Sequence, residues 1–488
     1  RKHTNGNSKL LGKVKIMKQD QLENLQFMAE NYERKYKPHV EIFESSIIGR
    51  HVGRSASHIN ALGKMLDSWE QYKAKKESNG TIATLGDVPT VAAGVITASF
   101  ASNSMNVICN VQPLPEQSAN IYFEETKSSS TRGNVAAGQL LLSPNAMPEV
   151  FPVNYSGNAV TTVIGQTSTT AATLNFPAAA PQLPVLPRTV TVGVAFSTGA
   201  EIAVDDGQGG LIGKTFGGTI DYNNGNIVLN FFTQPNEVVD ISLGYGYNQE
   251  AAKSEVEIEV DLKTVNVSAK MYALKAQLGI FKQFTLEQRF GIDGKERLAV
   301  RLTQELNNEL TNEAIAKMIT FCPKDSKEEW NKKPKAGTTW IEHKLEFLDV
   351  IARAENNLQQ KAGRGKISTL VCAPNVATII RNLPGFVPAG VVGPGATIYG
   401  TLDDITIVRA PQLAMDSNAP TANSAFAIYR GEEPFDGAMV YAPYMPIVSI
   451  EDVPVEQTVL MKRNGVAHMA AIACPSPNFI SRIDVVEK

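Results

Sequence analysis

Cysteine is scarce and scattered: the chain has four, Cys109, Cys322, Cys372 and Cys474, with no Cys-x-x-Cys pair. That spacing excludes a disulfide-stapled scaffold and a zinc ribbon, and it predicts buried, reduced thiols of an intracellular kind. No apolar run reaches the ~18 residues a membrane helix needs, and nothing resembles a signal peptide, so no membrane partner is expected. Neither sign of charge dominates. The formal net charge is −3, which argues against a nucleic-acid binder as a whole. The six histidines (His3, His39, His51, His58, His343, His468) never fall at the i, i+4 spacing of a zinc helix. His51 and His58 lie seven apart, but Gly53 intervenes and no carboxylate is near. A Gly-x-Ser-x-Gly elbow is absent, and no serine has a matching His and Asp in a recognisable turn. Catalytic residues, cofactors and metals are therefore expected to be none.

What is present is globular. Apolar residues make up 43% and charged residues 19%, and 488 residues are enough for roughly two to four structural units. Residues 1–18 hold six Lys or Arg and no acid. They read either as a solvated terminus or as an arm lying across a neighbouring molecule. Asp20 and Glu23 sit at capping-box spacing before Leu22, Leu25, Met28, Ala29 and Tyr32 on one helical face. Ile59, Leu62, Leu66 and Trp69 form a second stripe. Both faces must bury against the main body or a partner.

From residue 81 the texture turns small and polar. Asn106–Val111 and Ala119–Phe123 read as strands, and Lys127–Gly133 as an exposed loop tip. Residues 155–250 are rich in Gly, Thr, Ala, Pro and Asn and almost free of Lys and Arg. Within them Asn224-Gly225, between two apolar strands, predicts a hairpin with a tight type I′ turn. A small β-sandwich or barrel is the expected fold there. Residues 254–263 then alternate, Val256, Ile258, Val260 and Leu262 against Glu255, Glu257, Glu259 and Asp261, which predicts one buried face. A long helix follows, with Asp293 and Glu296 at capping-box spacing and Leu298, Leu302, Leu306 and Leu310 every fourth residue.

Four constellations imitate chemistry. Gly207–Thr215 ends in Gly-Lys-Thr, but a phosphate loop needs glycine five positions before Gly213, where Gln208 stands. Gly363-Arg-Gly-Lys366 reads as a helix C-cap rather than an anion cradle. The row of glutamates at 255, 257 and 259 reads as a solvated strand face. Asp205 and Asp206 are adjacent and point apart on a strand, unlike the paired acids of a carbohydrate hydrolase.

The last segment of note is Gly431–Ile447, with a turn at Asp436-Gly437 and a short strand over 438–441. Pro443 and Pro446 are expected to stop that strand from continuing as a sheet centre. Upstream come a strand and long helix over 269–319, then helix, glycine turn and strand over 345–383. Further strands follow at Tyr399–Val408 and Leu460–Val466. In order and spacing these segments resemble the major capsid proteins of tailed bacteriophages, the T4-type branch of the HK97 fold. The resemblance covers residues 256–470 and lies in the ordered set, not in any one motif.

The resemblance implies an α+β, HK97-like fold with an inserted all-β domain. Its parts would be an N-terminal arm with amphipathic helices (1–80), the first part of an extended loop (81–154), the inserted β domain (155–250) and a returning strand (251–283). A spine helix and peripheral domain (284–340), an axial domain (341–447) and C-terminal peripheral strands (448–488) would complete it. It implies hexameric capsomers in an icosahedral or prolate head around double-stranded DNA, with vertex and portal proteins as partners. A scaffold and a head protease would act during assembly, and a decoration protein is a further candidate. Arg1 in place of Met fits proteolytic maturation, a trimmed chain being the alternative. Lys9, Lys13, Lys15 and Lys18 would form a nonspecific DNA-facing or inter-subunit arm, and Lys127 and Arg132 an inter-subunit loop tip. No covalent cross-link is expected. The alternatives are a pentameric vertex protein of the same fold and a tail sheath or tube protein.

Overall fold

The computed structural model describes residues 26–52, 55–78, 96–97, 99–101, 103–143, 146–197, 199–251, 256–291, 294–389, 395–415, 421–431, 433–434, 436–455 and 458–487. The arm lysines Lys9, Lys13, Lys15 and Lys18, Asp20, Leu22, Glu23, Leu25 and Asp293 lie outside them. Two compact units emerge, one from Arg1–Glu124, Pro144–Met147 and Leu262–Lys488, the other from Glu125–Ser143 and Pro148–Asp261.

The first unit is organised by the helix Gly294–Phe321, whose 28 residues span about 42 Å at the α-helical rise. Its leucine row turns progressively inward. Leu298 is half-buried, whereas Leu306 and Leu310 are fully buried and the row continues through Ala314 and Met318. That face packs on a four-stranded sheet ordered Asn110–Val111, Val440–Val455, Thr458–Ala473, Lys270–Gly279. A polar joint adds register to the apolar contact. Glu313 on the helix accepts from Lys270 Nζ and Tyr272 OH, both at 2.6 Å, and Lys317 donates to the Ile472 carbonyl. Burial pushes the Glu313 carboxyl up, but Lys270, Tyr272 and Lys317 together hold it below its usual range.

The expected strand stop at Pro443 does not occur. Val440–Val455 runs 16 residues through Pro443 and Pro446. Two features accommodate the prolines. Register shifts at Pro443/Met445 and Met445/Val448 absorb the missing donors on one side. On the other side the partner strand ends at Val111, so Pro443 need only accept, from Leu114 N at 2.9 Å.

A seven-stranded mixed sheet forms the rest of this core, ordered Lys327–Asn331, Ile480–Val486, Ser424–Ile428, Thr369–Cys372, Ile405–Arg409, Thr397–Leu402, Phe386–Pro388. Every residue of Thr369–Cys372 and Ser424–Ile428 is buried, as expected of strands covered on both faces. The helix Trp340–Ala362 begins in a capping box, where Thr339 accepts from Glu342 N and the Glu342 carboxylate accepts from Thr339 N. It ends at Gly363, φ 69°, whose N–H bonds the Gln359 carbonyl. The Gly363–Lys366 segment is thus the cap its sequence predicts.

The second N-terminal stripe is buried inside the chain, not reserved for a partner; of the first, Ala29 is buried and Tyr32 partly so, while Leu22 and Leu25 lie outside the described residues. Leu62, Leu66 and Trp69 join the same core as Phe43, Phe100 and Met105, while Ile59 packs with Ala29 and Val40. Met28 is exposed and lies off that face. The stripe's fixed position is reinforced by Asp67, which accepts from Lys35 Nζ and Tyr36 OH at 2.6 Å each. The strand expected over Asn106–Val111 is helical at Met105–Ile108 and extended only at Asn110–Val111. There Asn106 Nδ2 donates to the Phe100 carbonyl at 2.7 Å, and full burial of residues 105–108 outweighs their strand propensity.

The second unit holds one antiparallel eight-stranded sheet, ordered Ala159–Gln166, Asp240–Gly246, Thr191–Phe196, Gly199–Asp205, Gly210–Gly213, Phe216–Ile220, Ile227–Phe231, Thr173–Phe176. A Cβ at Gly165 would lie 2.5 Å from the Phe176 ring, so the two outer strands approach and the sheet curls towards a barrel. Its own core includes Val190, Val192, Phe216, Ile227, Leu229, Ile241 and Leu243. The Asn224-Gly225 hairpin forms, with Ile220 opposite Ile227, but not through a two-residue type I′ turn. Gly225 has φ 69° while Asn224 stays on the negative side, because Asp221 accepts from the Asn223 and Asn224 amides and holds a longer loop.

Close strand approach makes one glycine diagnostic of that sheet. A Cβ at Gly218 would stand 2.1 Å from the Val228 carbonyl oxygen. Gly218→Ala is therefore expected to destabilise the second unit by about 1–3 kcal/mol, seen as earlier proteolysis within 148–261 on heating. Unchanged proteolysis would mean that the two strands are not paired in this register.

Candidate assembly surfaces

An extended hairpin joins Ser118–Ser128 to Ile258–Ser268, with Leu140–Leu142 on its far edge. Ala269 N donates to Gln117 O at 2.8 Å and Ser129 N to Glu257 O at 3.0 Å, which sets Leu262 across from Glu124 and Val260 across from Thr126. At its base the odd-numbered face is covered: Ile121 is buried with Leu114, Ala269, Val440, Ala442 and Ala471. The even-numbered face carries the alternating row expected to be buried, and it is open. Ile258, Val260 and Leu262 are 48%, 50% and 56% exposed, with Tyr122 beside them at 42%. Alternation fixed which side chains share a face. It could not say that nothing among the described residues covers them.

Lys127 lies near the end of the Ser118–Ser128 strand and is half-buried. Arg132 is not an exposed tip residue. Its guanidinium sits 4.4 Å over the Tyr247 ring, and a short Arg132–Val135 bridge turns the chain at Gly133-Asn134, which are exposed. An arginine can cover an aromatic face while its backbone makes a turn, so loop composition overstated its exposure.

The helix Ile280–Phe290 is a second open surface, because none of its residues is buried. Phe281 and Phe284 are 75% and 62% exposed. Gly291, φ 62°, ends the helix before Gly294–Phe321 begins. Sequence reasoning merged this helix with its neighbours; three phenylalanines within eleven residues were the available signal.

Groups that could carry chemistry are tied up in structure. Asp205 accepts from Tyr222 OH and Arg188 N at 2.6 Å and from Gly207 N at 2.9 Å. Asp206 accepts from the Gln208 and Gly210 amides. The Gly-Lys-Thr motif falls between the strands Gly210–Gly213 and Phe216–Ile220, with no helix to present amides to a phosphate. His58 Nε2 meets the Asn106 carbonyl at 3.2 Å and His468 Nε2 meets Tyr441 OH at 3.0 Å. Burial lowers these imidazoles to about 3 and about 4. The four cysteines are free. Cys109 and Cys372 are buried, and burial pushes the thiols of Cys322 and Cys474 up to about 11 and about 12. Among the described residues no group of three His, Cys, Asp or Glu is placed to hold a metal ion, and no helix is long and apolar enough to cross a membrane.

An α+β chain with two cores, its reactive groups spent on structure and its long hairpin and helix left open, belongs to the class of self-associating structural proteins. The family described as major capsid protein Gp23 matches it over residues 87–473, and the chain belongs to that family. It is a phage major capsid protein: a structural component of the virion capsid, not an enzyme, which self-assembles into the capsid lattice. The helices and sheets of the described residues agree with the expected α+β class, and the tail-sheath alternative falls with the family membership.

Three of the solved structures similar to this chain illustrate the likeness. The capsid of jumbo bacteriophage PhiKZ is 8% identical over 78% of this chain and 91% of that one, with TM-score 0.40. The virus-like particle from Pyrococcus furiosus is 11% identical over 46% and 81%, with TM-score 0.30. The capsid of Myoviridae phage XM1 is 10% identical over 49% and 80%, with TM-score 0.29. No curated protein matches by sequence.

Proposed function

We propose that this capsid protein forms hexameric capsomers of an icosahedral or prolate head enclosing double-stranded DNA, and that its extended hairpin lies over a neighbouring copy. The observation that supports this reading most is the open apolar row Ile258, Val260 and Leu262 on the edge strand of the hairpin. Such a row is expected to be covered in the assembled state, since large apolar patches on isolated chains mark interaction sites. Each copy in a shell touches several neighbours, so modest contacts multiply into an assembly that hardly dissociates.

Residues 81–154 and 251–283 would be the extended loop, 284–340 and 448–488 the peripheral parts, and 341–447 the axial domain. Lys127, at the hairpin, would contact the neighbour through its ammonium, whereas Arg132 would act through the turn it stabilises. Lys9, Lys13, Lys15 and Lys18 would meet phosphates without reading bases. A scaffold and head protease would act before the DNA enters. Portal and vertex proteins, and a decoration protein, would complete the shell.

Imaging of the purified assembly tests the proposal. Closed shells with six-fold capsomers are expected; particles in which this chain fills only five-fold positions would make it the vertex protein instead. Helical tubes as the sole product would refute both.

A further inference from the structure

We propose that the outer face of the eight-stranded sheet carries a two-fold contact, in which Ile202, Val204, Ile212 and Phe232 of one copy pack against the same four residues of a second copy in the shell. This contact is separate from the hairpin and does not depend on the hexameric arrangement.

Strand period puts the four side chains on one face. Along Gly199–Asp205, Ala203 is buried in the unit's core, so Ile202 and Val204 point outward. Ile212 lies directly across from Val204, next to the buried Leu211. Phe232 follows the buried Phe231 and is tied by its N–H to the Thr215 carbonyl at 3.0 Å. Its ring lies over Gly217, with Cζ 3.7 Å from where a Cβ there would stand. Since Leu211 pairs with Gly218, Gly217 is next in the ladder beside Ile212, and the ring borders that isoleucine. Gly193 stands across from Ile202 in the same way, so neither isoleucine is sheltered by its own sheet. The four residues are 49–69% exposed. Their open apolar area is on the order of 400 Å², the size at which a patch on an isolated chain marks an interaction site.

Charge selects the occupant. Exposed Lys214 stands at one end of the patch, just after Gly210–Gly213, and exposed Asp206 at the other, where it accepts from the Gln208 and Gly210 amides. A row that runs basic, apolar, acidic complements a second copy turned end for end. A two-fold axis across the strands at Val204 and Ile212 brings Lys214 of each copy to Asp206 of the other. Size selects the same occupant. Two such patches together bury roughly 800 Å², below the roughly 1,200 Å² of a specific complex between free proteins. A protein arriving from solution would not be retained. A neighbouring copy is already held by the lattice, where a tethered contact acts at roughly millimolar effective concentration.

The full-length chain with Ile212→Cys should be assembled alone and treated with a short bismaleimide. Position 212 is exposed, and wild-type shells control for Cys322 and Cys474, which are only partly buried. Because the axis passes beside residue 212, this single variant is expected to give a covalent dimer in shells, at least about tenfold above wild-type shells and above the same variant unassembled. Val204→Cys repeats the test from the facing strand. Adding Lys214→Glu sets acid against acid at both ends of the patch. It should cut the dimer yield at least about threefold while the melting temperature of the unassembled chain stays unchanged. Shells of both cysteine variants that form without the dimer, as they would were another protein to cover this face, would overturn the contact. So would a dimer equally abundant among unassembled chains, since a patch this small does not hold free copies together.

Discussion

Leu310→Ala is expected to cost the first unit about 3–5 kcal/mol of unfolding free energy, the range for removing a buried leucine whose surroundings cannot collapse. Leu310 has no exposed surface, and it sits where Gly294–Phe321 meets the four-stranded sheet. The helix there is held at fixed distance by Glu313, gripped by Lys270 and Tyr272, so relaxation into the vacated space is resisted. Set against a typical stability of about 5–15 kcal/mol, such a loss leaves little margin. The paired control is Leu298→Ala, twelve residues earlier on the same leucine row and half-buried, which should cost less than about 1.5 kcal/mol. Denaturant midpoints of the unassembled chains measure the difference. Equal losses would mean that the leucine row does not enter the core progressively, and the packing of this helix would need revision.

Acidification from pH 6.5 to 4.5 is the second large effect, with an expected loss of roughly 5 kcal/mol from two histidines. His58 and His468 titrate near 3 and near 4 in the folded chain, chiefly because burial disfavours the cation. Arg430 adds to this for His58, which packs beside Phe43 and Phe100; His468 packs beside Tyr272 and Tyr441. Above pH 6.5 neither state binds the protons, so stability is full. Below it the unfolded chain takes two protons that the folded chain refuses, and stability falls by about 1.4 kcal/mol per pH unit for each. Depressed carboxylates such as Asp67 and Glu313 lose stability in the same direction, but mostly below this window, so the histidines dominate it. His58→Gln should lower stability at pH 7 yet make the pH dependence shallower by one proton. An unaltered slope in urea unfolding between pH 6.5 and 4.5 would sink the assignment.

Some of this was written plainly in the chain. The leucine repeat at 298–310, the glycine stop at Gly363 and the Asn224-Gly225 hairpin are consequences of helical period, positive φ and short-range turn preference. The helix–turn–strand order of 345–383 and the later strands were legible for the same reason. Turn type was less so, since Asp221 captured the amides that a shorter loop would have left to its glycine. Pro443 and Pro446 were misread because a proline's missing donor matters only where a partner strand demands it. Asn106–Ile108 was misread because burial chose the helix.

The assembly surfaces divide the same way. By itself the sequence determined which residues share a face, Ile258 with Val260 and Leu262, or Leu62 with Leu66, because side-chain period is a property of the backbone. Only the tertiary structure decided that the N-terminal stripe at Leu62 and Leu66 is covered by the chain's own core while nothing among the described residues covers the Ile258 row. Burial depends on what stands opposite, and that is set by long-range packing that no local pattern encodes.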